Sequence, residues 1–132
     1  MILDDFISWK DKIVPELEQI SSILSEQLSD EPEVLIHALK EAETWNGRAL
    51  ALLAQANGWL DLAKHQLMPP KEEGKSEADR KAEIDALVSP VRLIRDTLEG
   101  YVDSIKQRLI LGESCLSYAK MYKEPIVMKS PY

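Results

Sequence analysis

The chain has 132 residues, the span of one ordinary domain. Apolar residues make up 45% and charged residues 30%, which is apolar enough to fold and excludes an intrinsically disordered chain. The net charge of -7 is confined to residues 1–36, which carry nine acids against two bases, while the rest balances 14 against 14. That acidic segment reads as a solvated helix face, as a surface for a basic partner, or as a screen over a basic face of its own body that a polyanion competes away.

No run approaches the ~18 apolar residues of a membrane helix, and Met1-Ile2-Leu3-Asp4-Asp5 is acidic where a signal peptide is basic. A single cysteine, Cys115, excludes an internal disulfide and a cysteine-rich metal site. The expected setting is a reducing cytoplasm.

From Asp4 to Leu28 apolar residues fall at Ile13, Leu17, Ile20 and Leu24, a helical spacing. Pro15 interrupts it, so either one helix ends near Lys12 and another opens with Pro15 in its first turn, or a single helix kinks; the break is favoured. Asp30 is a candidate cap for a second helix, with Pro32 suited to its first turn. This helix can run from Pro32 to Leu67, ahead of the stop at Pro69-Pro70, and at ~1.5 Å per residue would be roughly 54 Å long.

With Leu35 at heptad position a, the a series is Leu35, Ala42, Ala49, Ala56, Ala63 and the d series Ala38, Trp45, Leu52, Trp59, Gln66. Leu39, Leu53, Leu60 and Leu67 flank it. Alanine at a lets a partner helix approach closely, with the tryptophans overhanging it. Gly47 and Gly58 cost ~1 kcal/mol each in a helix interior, which suggests crowding by a neighbour or a local bend.

Residues 68–76 form a polar, breaker-rich loop, and Ser76-Glu77-Ala78-Asp79 reads as a capping box. Ser89-Pro90 can interrupt the following helix, with Ser89 as a new cap. With Ile84 at a, the a series is Ile84, Val91, Leu98, Ile105, Gly112, Ala119 and the d series Leu87, Ile94, Tyr101, Arg108, Cys115, Tyr122. Val88, Val102, Leu109 and Leu116 widen the stripe beyond what one partner helix covers.

The expected fold is therefore all-α: an acidic N-terminal helical arm (1–31), a long antiparallel helical hairpin (32–123) with its loop at 68–76, and an extended tail (124–132). Its surplus apolar surface implies assembly as an oligomeric bundle or ring. Trp45, Leu52, Trp59, Leu98, Tyr101, Ile105 and Arg108 are the expected interface residues. The Ile126-Val127-Met128 stretch of the tail could dock on a neighbouring subunit.

Catalytic constellations are scarce. His37 and His65 lie 28 residues apart on one helix, too far to share a metal ion. Cys115 sits on the apolar stripe with no histidine nearby in sequence and reads as a structural thiol. There is no phosphate-binding loop and no nucleophile elbow. Glu72-Glu73 lies in a solvated loop, where nothing raises a carboxyl for acid catalysis. No enzyme, metal or cofactor is expected. Arg108 on an apolar stripe needs a carboxylate partner, a lumen or an anion, and a buried or intersubunit salt bridge is favoured. Arg92, Arg95 and Lys106 lie along the last helix. Lys64, Lys71, Lys75, Arg80 and Lys81 cluster near the loop as candidate phosphate contacts, a set that repetition around a ring would multiply.

The segment Leu98-Glu99-Gly100-Tyr101-Val102-Asp103-Ser104-Ile105-Lys106-Gln107-Arg108, with apolar and aromatic positions continuing to Tyr122, resembles the C-terminal helix of the phage recombination-mediator (UvsY-like) family. The matching positions are Leu98, Glu99, Ser104, Ile105 and Arg108, about 25 residues being recognisable. The resemblance implies an oligomeric accessory protein that binds single-stranded DNA and loads a recombinase onto strands coated by single-strand-binding protein. The chain departs from the family in charge, since members tend to be basic. A helical phage structural or assembly component, and an acidic inhibitor imitating nucleic acid through residues 1–36, are the competing expectations.

Overall fold

The computed structural model describes residues 1–123; the tail at 124–132, with its expected docking role, lies outside the described residues. Four helices make up the described chain, with no strand among these residues: α1 (Ile2–Ser25), α2 (Pro32–Leu67), α3 (Glu77–Leu87) and α4 (Ser89–Lys123).

The expected break at Pro15 does not occur, because α1 is one uninterrupted helix. Its buried residues Ile2, Phe6, Ile13, Ile20 and Ile23 lie on both sides of the proline. Burying them contributes about 10 kcal/mol as an upper estimate, which outweighs the ~3 kcal/mol cost of an interior proline. Pro15 itself faces solvent, where water can take the carbonyl of Asp11 that the missing N–H leaves unbonded.

Pro32 occupies the first turn of α2 as expected, but the cap is not Asp30. The N-cap is Glu31 without a side-chain bond, and the Ser29 hydroxyl instead accepts from the Glu31 N–H at 3.0 Å. The box that opens α3 does form: Ser76 Oγ accepts from the Asp79 N–H at 3.1 Å, and Asp79 Oδ2 accepts from the Ser76 N–H at 3.4 Å. Between α3 and α4 the chain is barely interrupted. The Val88 N–H donates to Ile84 O and the Arg92 N–H to Val88 O, both at 3.0 Å. Pro90 has no N–H for the Ala86 carbonyl four residues back, and the Ser89 hydroxyl donates to that carbonyl instead, at 3.0 Å. Ser89 thus repairs the joint rather than capping a new helix.

Three apolar clusters join α1, α2 and α4. At one end, Ile2 and Phe6 pack with Leu60, Ala63, Ile84, Val88 and Val91. In the middle, Ile13 meets Leu52, Ala56 and Leu98. At the other end, Ile20 meets Ala42, Ala49, Val102 and Ile105. In this order α2 runs against both α1 and α4, and α1 lies in the groove between them. The alanines of the a series on α2 are nearly or wholly buried, which is what permits a close approach of three helices. Apolar surface that two helices would leave wet is taken up here by α1.

Glycine plays two different roles. Gly47 and Gly58 have nothing within 4 Å of where a Cβ would stand, so the crowding expected there is absent. The crowded glycine is Gly112, where a Cβ would overlap Leu39 Cδ2 and lie 3.2 Å from Leu39 Cγ.

Candidate functional site

The five loop-end cations fall into two groups. Arg80 is a staple: its Nε and Nη2 donate to the carbonyl of buried Pro69 at 3.4 and 3.2 Å, and its Nη1 to Glu77 at 3.0 Å. Lys75 pairs with Glu83, and that hydrogen bond, helped by the nearby carboxylates of Glu83, Glu72 and Asp79, holds the ammonium above the usual lysine range. The open hollow beside it, about 500 Å³, is lined by Glu72, Glu73, Gly74, Lys75, Asp79, Ala82 and Glu83, so carboxylates outnumber cations there. Lys64, Lys71 and Lys81 enter no ion pair among the described residues. Of the five, they are the cations left for an external anion.

The other arginines tie helices together. Arg48 on α2 makes a bidentate pair with Glu16 on α1, one arm at 3.0 Å, and the hydrogen bond keeps its guanidinium above the ordinary value. Arg92 spans the α3/α4 joint to Asp85 at 3.2 Å. Arg95 donates to Asn57 of α2 at 3.0 Å and to Asp96 at 2.7 Å, with Glu99 at 3.1 Å. Arg108 does not find the carboxylate expected for it. Its Nη1 donates to the backbone carbonyl of Glu26 at 2.7 Å, and Glu26 is the C-cap of α1. A helix C-terminus carries unbonded carbonyls and partial negative charge, so it satisfies a guanidinium without any acid. Arg108 Nε is buried and has no hydrogen-bond partner among the described residues.

The residues expected to meet another subunit are placed largely inside this chain. Leu52 and Leu98 are wholly buried with Ile13 of α1, and Ile105 with Ile20 of α1. Trp45 and Tyr101 are half-buried over the cluster around Ile20. Trp59 belongs to an aromatic trio with Phe6 and Trp9, ring centroids 6.0 to 6.1 Å apart, in which Trp9 Nε1 donates to Gln55 at 2.8 Å. The physical reason is α1: it offers apolar residues at the same heights and occupies the groove a second copy was expected to fill.

An apolar surface not singled out in the sequence remains on the far part of α4. Ile110, Leu111 and Met121 are 59%, 57% and 64% exposed. Ile110, Glu113, Ser114, Ser117, Tyr118 and Met121 line an open groove of about 490 Å³. Within it the Ser114 hydroxyl donates back to Ile110 O at 3.1 Å. The signal was present in Leu109-Ile110-Leu111, since three consecutive apolar residues on a helix cannot all face one side.

His37 and His65 are exposed, and Cys115 is a half-buried free thiol. Among the described residues no group of three or more His, Cys, Asp or Glu side chains is arranged to hold a metal ion. No helix among them is long and apolar enough to cross a membrane. No protein-family model, curated protein or solved structure matches the chain.

Proposed function

We propose that the chain is a non-enzymatic helical protein that acts after self-assembly, as a recombination-mediator type of accessory factor for single-stranded DNA. The observation that carries the assembly part is the far end of α4, where Ile110, Leu111 and Met121 keep large apolar area in water. Apolar strips rimmed by polar side chains mark association surfaces. The assembly surface is thus moved from the buried heptad residues to this strip. Trp45, Tyr101 and Arg108 serve within the subunit.

The mediator part rests on the resemblance of residues 98–108 and on Lys64, Lys71 and Lys81, which enter no ion pair among the described residues. Three cations per subunit bind a polyphosphate weakly, but a ring would sum them, since affinity follows the number of phosphates neutralised. In this reading the assembly holds the strand while a recombinase displaces single-strand-binding protein, and no bond is made or broken.

One experiment bears on both parts. Light scattering over a concentration series gives the mass, and fluorescence anisotropy with a short single-stranded oligonucleotide at increasing salt gives the affinity. The expected result is a multimer whose affinity falls steeply with salt, and falls further when Lys64, Lys71 and Lys81 are replaced by Met. A multimer that ignores the oligonucleotide at low salt would leave the structural-component reading in its place.

A second reading has one observation in its favour. Asp4, Asp5, Asp11 and Glu18 are exposed on the ordered helix α1, whose first turn is acidic. An inhibitor imitating nucleic acid would present such a face, and saturable, salt-sensitive binding of α1 to a nucleic-acid-binding enzyme, competed by DNA, would select it.

A further inference from the structure

Where α1 and α2 meet, at the end of the bundle that carries the loop 68–76, Gln55, Gly58, Trp59 and Leu62 line a small open hollow of about 230 Å³. Trp59 is held from the α1 side by the rings of Phe6 and Trp9, with centroids 6.1 Å away in both cases. Trp9 in turn orients Gln55. An indole N–H only donates, so the amide oxygen of Gln55 is the end held at 2.8 Å, and its NH2 end is turned away from Trp9. The hollow thus offers an indole, a leucine that is 43% exposed and a pair of amide donors. Gly58 keeps it open. A glycine inside a helix costs ~1 kcal/mol relative to alanine, yet nothing in the chain stands within 4 Å of the Cβ it lacks. Packing within the subunit therefore gives no reason for it, and a local rule broken without a compensating contact is expected where function sets the residue.

We infer that this hollow takes one base of the single-stranded DNA, stacked on Trp59 and accepting from the Gln55 amide. This rests on the single-stranded DNA reading above and names the contact made to the bases, where Lys64, Lys71 and Lys81 supply those made to phosphates. Size favours a base over a free small molecule. Sites that enclose a whole drug-sized molecule run to ~300 to 1,000 Å³, so a hollow this small and open suits one flat ring whose attached parts are held elsewhere. The chemistry agrees: every base has a π-face, so stacking tolerates any sequence, and base carbonyls and ring nitrogens accept from an amide. Position agrees as well. Lys64 follows Trp59 by five residues on α2, about 7.5 Å at ~1.5 Å per residue, and Lys71 and Lys81 lie beyond it on the loop and on α3.

The test uses the full chain and two labelled probes of equal length and charge, an oligothymidylate and its abasic counterpart. Anisotropy at low salt gives the two affinities, and tryptophan emission is recorded alongside. The lysines meet the same phosphates in both probes, so only a contact to the bases separates them. The oligothymidylate is expected to bind ~5- to 100-fold more tightly than the abasic strand, and it alone should quench the emission. Gly58→Met fills the hollow. It should bring that preference close to unity while leaving the abasic affinity unchanged and the melting midpoint at or above that of the parent. Gln55→Glu keeps an acceptor for Trp9 and removes both donors, and should lower the preference by about 3- to 10-fold. If neither strand binds, the single-stranded DNA reading and this inference fail together. If both bind equally, or if Gly58→Met keeps the preference, the inference is overturned while the reading and its lysines stand.

Discussion

A methyl group at Gly112 tests the packing of α4 on α2 more directly than any change of charge. Gly112 is buried, and its neighbour Leu39 on α2 is 7% exposed. A Cβ there overlaps Leu39 Cδ2 and stands 3.2 Å from Cγ, so Leu39 must rotate or the helices must separate. Overpacking of this kind costs ~1 to 3 kcal/mol, and replacing an interior helical glycine by alanine returns ~1 kcal/mol. Gly112→Ala should therefore lose between zero and ~2 kcal/mol. Gly58→Ala, with nothing within 4 Å, should gain the propensity term of ~1 kcal/mol with no opposing cost. In a chain of this size 1 kcal/mol moves the melting midpoint by about 3 to 5 °C, so Gly112→Ala should melt at or below the parent and Gly58→Ala above it. Thermal unfolding followed by far-ultraviolet circular dichroism, at one fixed protein concentration because assembly would shift the midpoint, reads this. Leu39→Ala with Gly112→Ala should be better than additive, since the new methyl enters the space Leu39 leaves. If Gly112→Ala stabilises as much as Gly58→Ala, the close approach of α4 to α2 at Leu39 is wrong.

Pro15→Ala should stabilise the chain by ~1 to 3 kcal/mol, because it restores an N–H for Asp11 O in a helix already continuous; a destabilised variant would mean that the proline bends α1 into its groove. Arg108→Met should loosen the last turn of α1 by about 1 kcal/mol, seen as faster amide exchange at Ile23–Glu26, since the guanidinium holds the Glu26 carbonyl; a change of mass without fraying would instead point to a contact between subunits. Lys75 is raised above its ordinary 10.5 by the hydrogen bond to Glu83. The folded chain therefore holds a proton that the unfolded chain releases: the contribution is complete below that value and is lost as pH rises through the raised one. As the pair is exposed, the effect is small and salt-sensitive. Unfolding measured near pH 9 and again above pH 11 should show a slightly larger loss in the parent than in Lys75→Met, and equal losses would remove the pair from the account.

How much of this was legible depended on whether the deciding neighbour was local. The capping box at Ser76 and the first turn at Pro32 were readable because every participant lies within four residues. The a-series alanines of α2 were readable because spacing alone puts them on one face. Pro15 was misread for the opposite reason: the force that holds α1 straight comes from residues such as Leu60, Leu98 and Ile105, far away in sequence. Arg108 shows the same limit, since a search for its partner among side chains overlooks a main-chain carbonyl 82 positions away. The stripe on α2 and α4 was correctly recognised as too wide for two helices. What covers it was not, because the acidic charge of the N-terminal segment drew attention away from its buried residues Ile2, Phe6, Ile13, Ile20 and Ile23, which enter the groove.

The division of labour between the cations sharpens the nucleic-acid reading. Every arginine in the chain, Arg48, Arg80, Arg92, Arg95 and Arg108, makes a fixed contact to a carboxylate, an amide or a backbone carbonyl of its own fold. A guanidinium suits that task because its planar fork can hold two acceptors at once, as Arg80 does at Pro69 and Glu77. Among the described residues no such contact holds the lysines at 64, 71 and 81. Replacing an arginine should consequently change stability before it changes affinity for a polyanion. Replacing Lys64, Lys71 or Lys81 should do the reverse, each reducing the salt dependence of binding by about one phosphate's worth without moving the melting midpoint. Arg80 is then the informative control: if Arg80→Met abolishes oligonucleotide binding in a chain that melts normally, the staple assignment fails and Arg80 itself belongs to the anion site.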